Sequence, residues 1–328
     1  MSSRRHLFTV LTPTYNRAHT LARVYDSLAE QTFQDFEWLV VDDGSTDNTR
    51  ELVMGWQQRA SFPIRYEWQP NAHKKAAFNR GVREARGELI VALDSDDSLD
   101  MNALYVMAQA WSAMEPSERS TFVAITGLCA RPDGHIVGDM FPADVFDTTA
   151  IDMSFKHHVK GEKFGCMRTD VLRRFPFPED IPGFVPESLV WRAMARAGYR
   201  TRFLNQVFRV YFESGGESGD TLTHHSRETG GAPHAQGLWL LARDTVVECL
   251  PWFRYRPQEF LAAAARYTRF ALHVKRNGQQ LPRGRSLSGL RSRLLVALMW
   301  PVGAALYLRD IRASRPQALG VKARAGRH

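Results

Sequence analysis

Apolar residues in the N-terminal part of the chain alternate between two spacings, one typical of strands and one typical of helices. Apolar-rich runs predict four strands, at 7–12, 36–41, 64–68 and 89–93, and the last of them, an unbroken apolar run, is expected to be buried. Between the runs, apolar residues recur every three or four positions, which predicts helices at 20–31, from 45 to about 59, and at 75–86. This order requires parallel neighbouring strands and right-handed crossovers. We therefore predict an α/β fold with a doubly wound, Rossmann-like, mostly parallel sheet and helices on both faces.

Beyond residue 100 the pattern is less regular. We expect a helix at 101–114, a strand at 122–129 with a hairpin turn at 131–134, no regular structure over 140–186, a helix at 187–197 and a strand at 202–212. Glycine-rich loops follow this strand, and after them come helices with basic faces. The C-terminal part is thus predicted to be a helical basic extension.

Charge is distributed unevenly, although the whole chain of 328 residues has a formal net charge of +8. Residues 226–328 hold 18 basic and 5 acidic side chains, whereas residues 1–225 hold 25 basic and 30 acidic ones. The basic part therefore favours an anionic partner, either a membrane or a nucleic acid. The three cysteines are far apart and the N-terminus lacks the apolar core of a signal peptide, so we expect a cytoplasmic protein without disulfides.

An uncharged stretch at 294–308, flanked by arginines, stands out within the basic part. It is shorter than the roughly 20 residues that a helix needs to cross a bilayer. Two interpretations stay open. The stretch is either an interfacial segment whose arginines meet anionic lipid headgroups, or a helix packed against the rest of the protein.

Carboxylates follow two of the predicted strands directly. Asp94, Asp96 and Asp97 come after the strand at 89–93, and Asp42 and Asp43 come after the strand at 36–41. Ligands of open α/β sheets bind beyond the carboxyl ends of the strands, so these acids are expected in one site. Clustered carboxylates at a buried strand end are typical of a divalent cation bound together with nucleotide phosphates.

Five motifs in order and spacing resemble those of the family 2 glycosyltransferases, which are inverting enzymes with the GT-A fold. The motifs are Thr12–Arg17, Val41–Asp47, Asn71 with Asn79–Gly81, Gly87–Glu88 and Asp94–Asp96. The resemblance covers roughly residues 6–225. It implies a sugar transfer from a nucleoside-diphosphate sugar to a hydroxyl group.

The resemblance also implies which residues hold the donor. The nucleotide-sugar would contact five places in the chain. They are the first loop with Pro13, Tyr15 and Arg17, then the single residues Asp43, Asn71 and Lys74, and finally the pair Asp94 and Ser95. Asp96 would bind Mn²⁺ or Mg²⁺, which acts as a Lewis acid on the leaving diphosphate. Without the resemblance, Lys74 and its neighbour Lys75 would both be interpreted as solvated surface lysines.

An inverting transfer needs a general base for the acceptor hydroxyl. Many relatives place a Glu-Asp pair at the start of a helix, but Ser188 occupies the second position here, so Glu187 alone is assigned as the base. A histidine of the segment 220–225 would complete the metal site, and His224 is the residue we predict. This histidine is not fixed by the family's pattern.

These inferences define the predicted organisation. Residues 1–225 form the catalytic domain, with a nucleotide-binding half at 1–100 and an acceptor half at 101–225; residues 226–312 form the basic extension, and 313–328 a disordered tail. The expected donor is a UDP-sugar, and the expected acceptor is a glycan or lipid-linked glycan. Because the chain lacks the Gln-x-x-Arg-Trp motif and the several spanning helices of processive synthases, we expect single additions. A peripheral position on the inner face of the membrane would suit a lipid-linked acceptor.

Two other classes of function are less well supported. A nucleotidyltransferase would carry a glycine-rich phosphate loop after the first strand, whereas residues 12–17 contain no glycine. A non-catalytic membrane or nucleic-acid binding protein would use the basic extension, but the acids at 42–43 and 94–97 would then oppose binding. Nucleic acid is therefore not an expected partner.

Overall fold

The computed structural model describes residues 6–212, 232–282 and 284–313. The chain forms two compact units. Among the described residues, the first unit comprises 6–212 together with 249–257, and the second comprises 232–248 and 258–313 without residue 283. Of the predicted tail at 313–328, only Ala313 lies within the described part of the chain.

Strands and helices alternate at the start of the first unit, as the apolar pattern predicts. The strands are β1 (His6–Thr14), β2 (Phe36–Asp42), β3 (Ile64–Trp68) and β4 (Gly87–Ala92), and the helices are α1 (Ala18–Ala29), α2 (Thr49–Gln57) and α3 (Lys74–Glu84). The four strands are parallel and lie in the order β3-β2-β1-β4. Every residue of β2 is buried, as expected for a parallel strand covered on both faces.

The second half of the unit extends the same sheet. Its elements are β5 (Ser98–Leu99), α4 (Ala103–Ser112), α5 (Pro116–Arg119), β6 (Phe122–Ala130), β7 (Val145–Thr148), α6 (Ala150–Phe155), β8 (Lys163–Arg168), α7 (Thr169–Leu172), α8 (Ser188–Arg196) and β9 (Arg200–Val210). The sheet continues from β4 in the order β8-β6-β9-β5, with β7 paired to β9. Here only β6 and β9 are parallel, and the other pairs are antiparallel. The predicted fold class is confirmed.

The expectation of no regular structure at 140–186 is wrong, because this range contains β7, α6, β8 and α7. Strand β8 joins the two halves of the sheet, since it pairs with β4 on one side and β6 on the other. Gly165 within β8 hides the strand pattern in the sequence. A side chain at Gly165 would collide with the carbonyl oxygen of Ile125 in β6, so glycine is required where the two strands meet.

After a short 3₁₀ helix (Ala232–His234), the described part of the second unit contains three α-helices. They are α9 (Ala235–Val247), α10 (from Pro257 to Arg276) and α11 (Leu290–Ala313). Val246, Ala263, Ala264 and Val296 form a buried apolar cluster that brings all three helices together. Helix α11 contains Pro301 and is long and apolar enough to cross a membrane, judged by length and composition only.

Candidate active site

Strands β1, β2 and β4 end at one edge of the sheet, and the loops after them are joined by hydrogen bonds. The register pairs Thr14 of β1 with Asp42 of β2. Beyond these residues, the amide of Asn16 donates to Ser45 Oγ at 2.9 Å, and the amide of Thr46 donates to Asn16 Oδ1 at 2.8 Å. Asn16 has a positive φ of 52°, a conformation that asparagine tolerates better than most residues. The loops after β1 and β2, at 15–17 and 43–46, therefore form one connected rim at the edge of the sheet.

Asp43 is buried and holds the loop that follows β3. Its Oδ1 accepts hydrogen bonds from Gln69 Nε2 at 2.7 Å and from the amide of Ala72 at 2.9 Å. Next to it, Gly44 has a φ of +88°, and a Cβ there would lie 2.8 Å from the amide nitrogen of Asn71. Asp43 and Asn71, which were predicted to share a nucleotide, are thus brought to the same place.

The first three predicted donor residues line the start of this rim. Pro13 is buried at the end of β1, Arg17 is half-buried, and the ring of Tyr15 is 48% exposed. An exposed aromatic ring beside a polar rim is available to stack on a base. The predicted base-binding roles of these residues remain predictions.

Lys74 connects the donor side of the site to the predicted base. Its Nζ lies 2.5 Å from Asp94 Oδ1 and 3.6 Å from Glu187 Oε1. Lys74 is the first residue of α3, and Glu187 immediately precedes α8. Burial would lower the pKa of Lys74, but the carboxylates of Asp94 and Glu187 outweigh it and raise that pKa above its ordinary value. The lysine is therefore a permanent cation between two carboxylates.

Arg209 on β9 is a second cation in the site, and its place there was not predicted. Its guanidinium lies 3.7 Å from Asp94 Oδ2, 3.3 Å from Asp97 Oδ2 and 3.3 Å from Glu162 Oε2. Burial would raise the pKa of Asp94, but Lys74 and Arg209 together hold it below its ordinary value. Asp94 is consequently ionised and fixed from both sides.

The turn after β4 is held by α1 and by the end of β9. Thr20 Oγ1 donates to the carbonyl of Ser95 at 2.9 Å, and Arg23 donates to the carbonyl of Asp96. Asp97 is buried and accepts a hydrogen bond from the amide of Phe212 at 3.1 Å. Burial raises the pKa of Asp97 to about 7, although Arg209 opposes this effect. These contacts fix the backbone that carries Asp96.

A divalent cation fits this site only together with its substrate. Within the described residues, no three His, Cys, Asp or Glu side chains are grouped so that they alone could hold a metal. Mg²⁺ in nucleotide sites is commonly bound by one or two carboxylates and by phosphate oxygens. Asp96, the predicted metal ligand, would supply one carboxylate of this kind. His224, the predicted histidine ligand, lies outside the described residues.

Two further residues of α3 hold the segment that leads to Glu187. Lys75 is buried and donates to the carbonyl of Ile181 and, at 2.8 Å, to that of Gly183. Asn79, one turn later, donates to the carbonyl of Phe177 and accepts from its amide, both at 2.9 Å. The interpretation of Lys75 as a solvated lysine is therefore wrong. Its binding partners are carbonyl groups about a hundred positions away, which no local pattern reveals.

The chain is similar in sequence to known glycosyltransferases. Residues 9–117 match the model of glycosyl transferase family 2. An uncharacterized glycosyltransferase of Nostoc is 40% identical over 89 residues, which cover 27% of this chain and 28% of that protein. A Campylobacter jejuni protein named GalNAc(5)-diNAcBac-PP-undecaprenol β-1,3-glucosyltransferase is 25% identical over 211 residues, covering 62% of this chain and 63% of that one. The chain thus spans less than two thirds of the length of these relatives.

Solved structures share the fold at low sequence identity. The structure of Staphylococcus aureus TarS in complex with UDP-GlcNAc has a TM-score of 0.56 and 19% identity, covering 93% of this chain and 88% of that one. The mannosyltransferase of Pyrobaculum calidifontis, in complex with GDP-Man and Mn²⁺, has a TM-score of 0.54 and 21% identity, covering 95% and 89%. The solved structures show that the chain has a GT-A fold, and its segment 9–117 is similar to glycosyl transferase family 2.

Proposed function

We propose that the protein transfers one sugar from a nucleoside-diphosphate sugar to a hydroxyl group, with inversion and with the help of a divalent cation. The observation that carries the proposal is the bridge made by Lys74, which lies within 3.6 Å of both Asp94 and Glu187. A direct displacement needs the donor and the base held in a fixed relation. Lys74 links the two carboxylates to which these roles are assigned.

The donor is assigned to the rim at the ends of β1, β2 and β4. Tyr15 and Asp43 would contact the base, and Asp94 the ribose, with Asn71 and Lys74 near the diphosphate. The two solved structures are complexes with UDP-GlcNAc and GDP-Man, which supports a nucleoside-diphosphate sugar as the donor. We expect the base to be uracil.

Glu187 would act on the acceptor. Its carboxylate accepts the proton of the acceptor hydroxyl while that oxygen forms a bond to the anomeric carbon. The bond from this carbon to the diphosphate breaks on the opposite face, which inverts the configuration. A cation held by Asp96 and the diphosphate would supply Lewis-acid stabilisation of the leaving group. Lys74 orients Glu187 and adds a positive charge beside the diphosphate.

The acceptor is proposed to be a glycan or a lipid-linked glycan. The name of the Campylobacter relative includes an undecaprenol-linked glycan. A Bacillus subtilis relative, 22% identical over 213 residues that cover 64% of this chain and 81% of that protein, is named as a putative teichuronic acid biosynthesis glycosyltransferase. Both names support a glycan or lipid-linked acceptor, and single addition remains part of the proposal.

A thermal-shift panel tests the donor site. UDP, GDP, dTDP and CMP are each added with Mn²⁺ or with EDTA to the wild type and to Asp96→Ala. We expect one nucleoside diphosphate to raise the Tm with Mn²⁺ only, and the variant to lose this shift. Asp133→Ala, which removes an exposed carboxylate on the turn after β6, should keep it. No shift with any nucleotide would overturn the proposal and favour a non-catalytic protein that binds through its basic extension.

Glu187→Gln separates the base from the donor site. It should keep the nucleotide-dependent shift, because the amide is nearly isosteric with the carboxylate. The transfer rate should fall by about 10²–10⁴-fold, which is the range of general-base contributions. A Glu187→Gln enzyme with the wild-type transfer rate would show that another residue takes the proton.

A further inference from the structure

Helix α11 has one face committed to its own unit. Its buried residues are Ser292, Val296, Gly303 and Asp310. A Cβ at Gly303 would lie 2.7 Å from the Cβ of Thr268 in α10, so the two helices approach closely there. Asp310 accepts hydrogen bonds from Arg269 at 2.6 and 2.9 Å and lies 3.0 Å from His273 Nε2. This polar face fixes the rotation of α11 about its axis.

The opposite face of α11 is exposed and apolar. Along it lie Leu294, Ala297, Leu298, Pro301, Val302, Ala305 and Leu308. Their separations of three and four positions place them on one side of the helix. The side chains of Leu294 and Leu298 are 61% and 68% exposed. At 1.5 Å per residue the face is about 21 Å long, and a continuous apolar surface of this kind is typical of an interaction site.

Arginines mark both ends of this face. Arg291 precedes Leu294 and Leu298 by three and seven positions, and Arg312 follows Leu308 by four, so both lie on the exposed side. Arg309 is exposed there too. The only carboxylate of the helix, Asp310, belongs to the buried face. The exposed face therefore combines apolar side chains with positive charge and no negative charge.

The acids elsewhere in the described part of the second unit do not offset this charge. Glu248 and Glu259 form ion pairs with Arg243 at 2.8 Å and Arg266 at 2.9 Å. Across 232–248, 258–282 and 284–313 there are ten basic residues and four acidic ones. The unit is thus complementary to a negatively charged surface.

We propose that the exposed face of α11 lies in the interface of an anionic phospholipid membrane, with Leu294, Leu298 and Val302 among the acyl chains and the terminal arginines at the phosphates. Apolar burial and attraction to anionic lipids act together in such helices. The apolar face is shorter than the roughly 30 Å hydrocarbon core, and the opposite face carries the buried ion cluster at Asp310. The helix therefore lies on the membrane and does not span it.

A second copy of the chain is a poorer occupant of the face. Pairing two α11 helices in antiparallel fashion brings Arg291 of one close to Arg309 of the other. Parallel pairing places each arginine beside its own counterpart. Like charges meet in both arrangements, whereas lipid phosphates neutralise the arginines at both ends.

Vesicle sedimentation with the full-length protein tests this proposal independently of sugar transfer. We expect binding to vesicles of equimolar phosphatidylcholine and phosphatidylglycerol, much weaker binding to phosphatidylcholine alone, and a decrease at high salt. Leu294→Gln/Leu298→Gln should lower the partition coefficient about tenfold or more, because two exposed leucines no longer enter the acyl region. Met101→Gln/Met140→Gln, which changes two exposed apolar residues of the first unit, is the matched control and should bind like the wild type.

A second variant tests the charges and alters only exposed side chains. Arg291→Gln/Arg309→Gln/Arg312→Gln should lose the preference for anionic vesicles. Its control, Arg59→Gln/Arg86→Gln/Lys156→Gln, removes three exposed charges from the first unit and should keep it. The Tm of each variant, measured without vesicles, checks that it is folded.

Several outcomes would overturn the proposal. They are equal binding to both kinds of vesicle, unchanged binding of the leucine or arginine variant, and wild-type protein that only detergent removes from the vesicles. The last would indicate a spanning helix. A concentration-dependent dimer that the leucine variant abolishes, without vesicle binding, would assign the face to a second copy of the chain.

Discussion

Lys74 and Lys75 are neighbours in the sequence, yet their side chains have different surroundings and different binding partners. Lys74 is 46% exposed and lies between two carboxylates that raise its pKa. Lys75 is buried, its charge is met by carbonyl oxygens, and burial lowers its pKa. Successive residues at a helix start point in different directions, about 100° apart. The structure therefore assigns one lysine to the site and the other to the segment that supports it.

Lys75→Met should release the segment 177–187 without disturbing the nucleotide site. The methionine keeps the apolar stem but leaves the carbonyls of Ile181 and Gly183 without their donor. Amide hydrogen exchange across 177–187 should accelerate, and the free energy of unfolding should fall by about 1–3 kcal/mol. The nucleotide-dependent Tm shift should remain. Hydrogen-exchange mass spectrometry measures the first effect, and Lys160→Met, at an exposed lysine, is the control.

Wild-type exchange rates over 177–187 in Lys75→Met would show that Lys75 does not hold this segment. Equal acceleration over the whole first unit would show general destabilisation instead. Only a change confined to the segment agrees with the hydrogen bonds of Lys75.

The sequence reveals some residues of the site and conceals others, for a physical reason. Asp43 and Asp94 follow apolar strands, so the period of the chain alone predicts that they meet at one edge of the sheet. Arg209 lies within the final strand, and its partners Asp94, Asp97 and Glu162 lie on distant segments. Its role depends on which strand neighbours β6, and strand order is not encoded in local periodicity.

At the scale of elements, the parallel half of the sheet was predictable and the mixed half was not. Strands β1, β2 and β4 are buried on both faces and give continuous apolar runs. Strand β8 contains Gly165, which its close approach to β6 requires, and it also contains Lys163, so its apolar pattern is weak. The strands between residues 101 and 212 pair with segments that are distant in the sequence. The structure of these segments therefore depends on tertiary contacts, which the local sequence pattern does not reveal.

Two glycines inside helices provide a matched test of helix packing. Gly303→Ala should destabilise the second unit by about 1–3 kcal/mol, since its Cβ would meet the backbone and side chains of α10. Gly55→Ala in α2 has nothing within 4 Å of the added Cβ, and should stabilise the first unit by about 0.5–1 kcal/mol. Chemical denaturation measures both. If Gly303→Ala were neutral or stabilising, as expected for Gly55→Ala, the result would contradict the close approach of α10 and α11.

At the scale of the whole molecule, the chain leaves the first unit, forms α9, and returns. Residues 249–257 belong to the first unit, where Trp252 Nε1 donates to Asp152 Oδ1 at 2.6 Å and Arg256 donates to the carbonyl of Ser154 at 3.2 Å. The sequence predicts the change in charge near residue 226, and the proposed boundary there follows from it. The return of 249–257 has no counterpart in composition, because this short segment, with its 3₁₀ helix (Leu250–Tyr255), adds only Arg254 and Arg256 to the charges of the chain.

Trp252→Phe tests this return. The phenyl ring keeps most of the apolar contact, while Asp152 loses its indole donor. The free energy of unfolding of the first unit should fall by about 1.5–3 kcal/mol, as for a lost hydrogen bond to a charged group. Denaturation followed by hydrogen exchange in α6 and in α10 distinguishes the units. Destabilisation seen only in α10 would mean that 249–257 serves the second unit instead.

The anchoring of the segment before Glu187 has a consequence for how this enzyme can diverge. Lys75 and Asn79 bind this segment by hydrogen bonds to its main chain, at Phe177, Ile181 and Gly183. Main-chain carbonyl groups are present whatever the side chain is. Substitutions can therefore accumulate in the side chains of this segment while its path is conserved. Selection for a new acceptor could then act on these side chains without altering the backbone that positions Glu187, the proposed base.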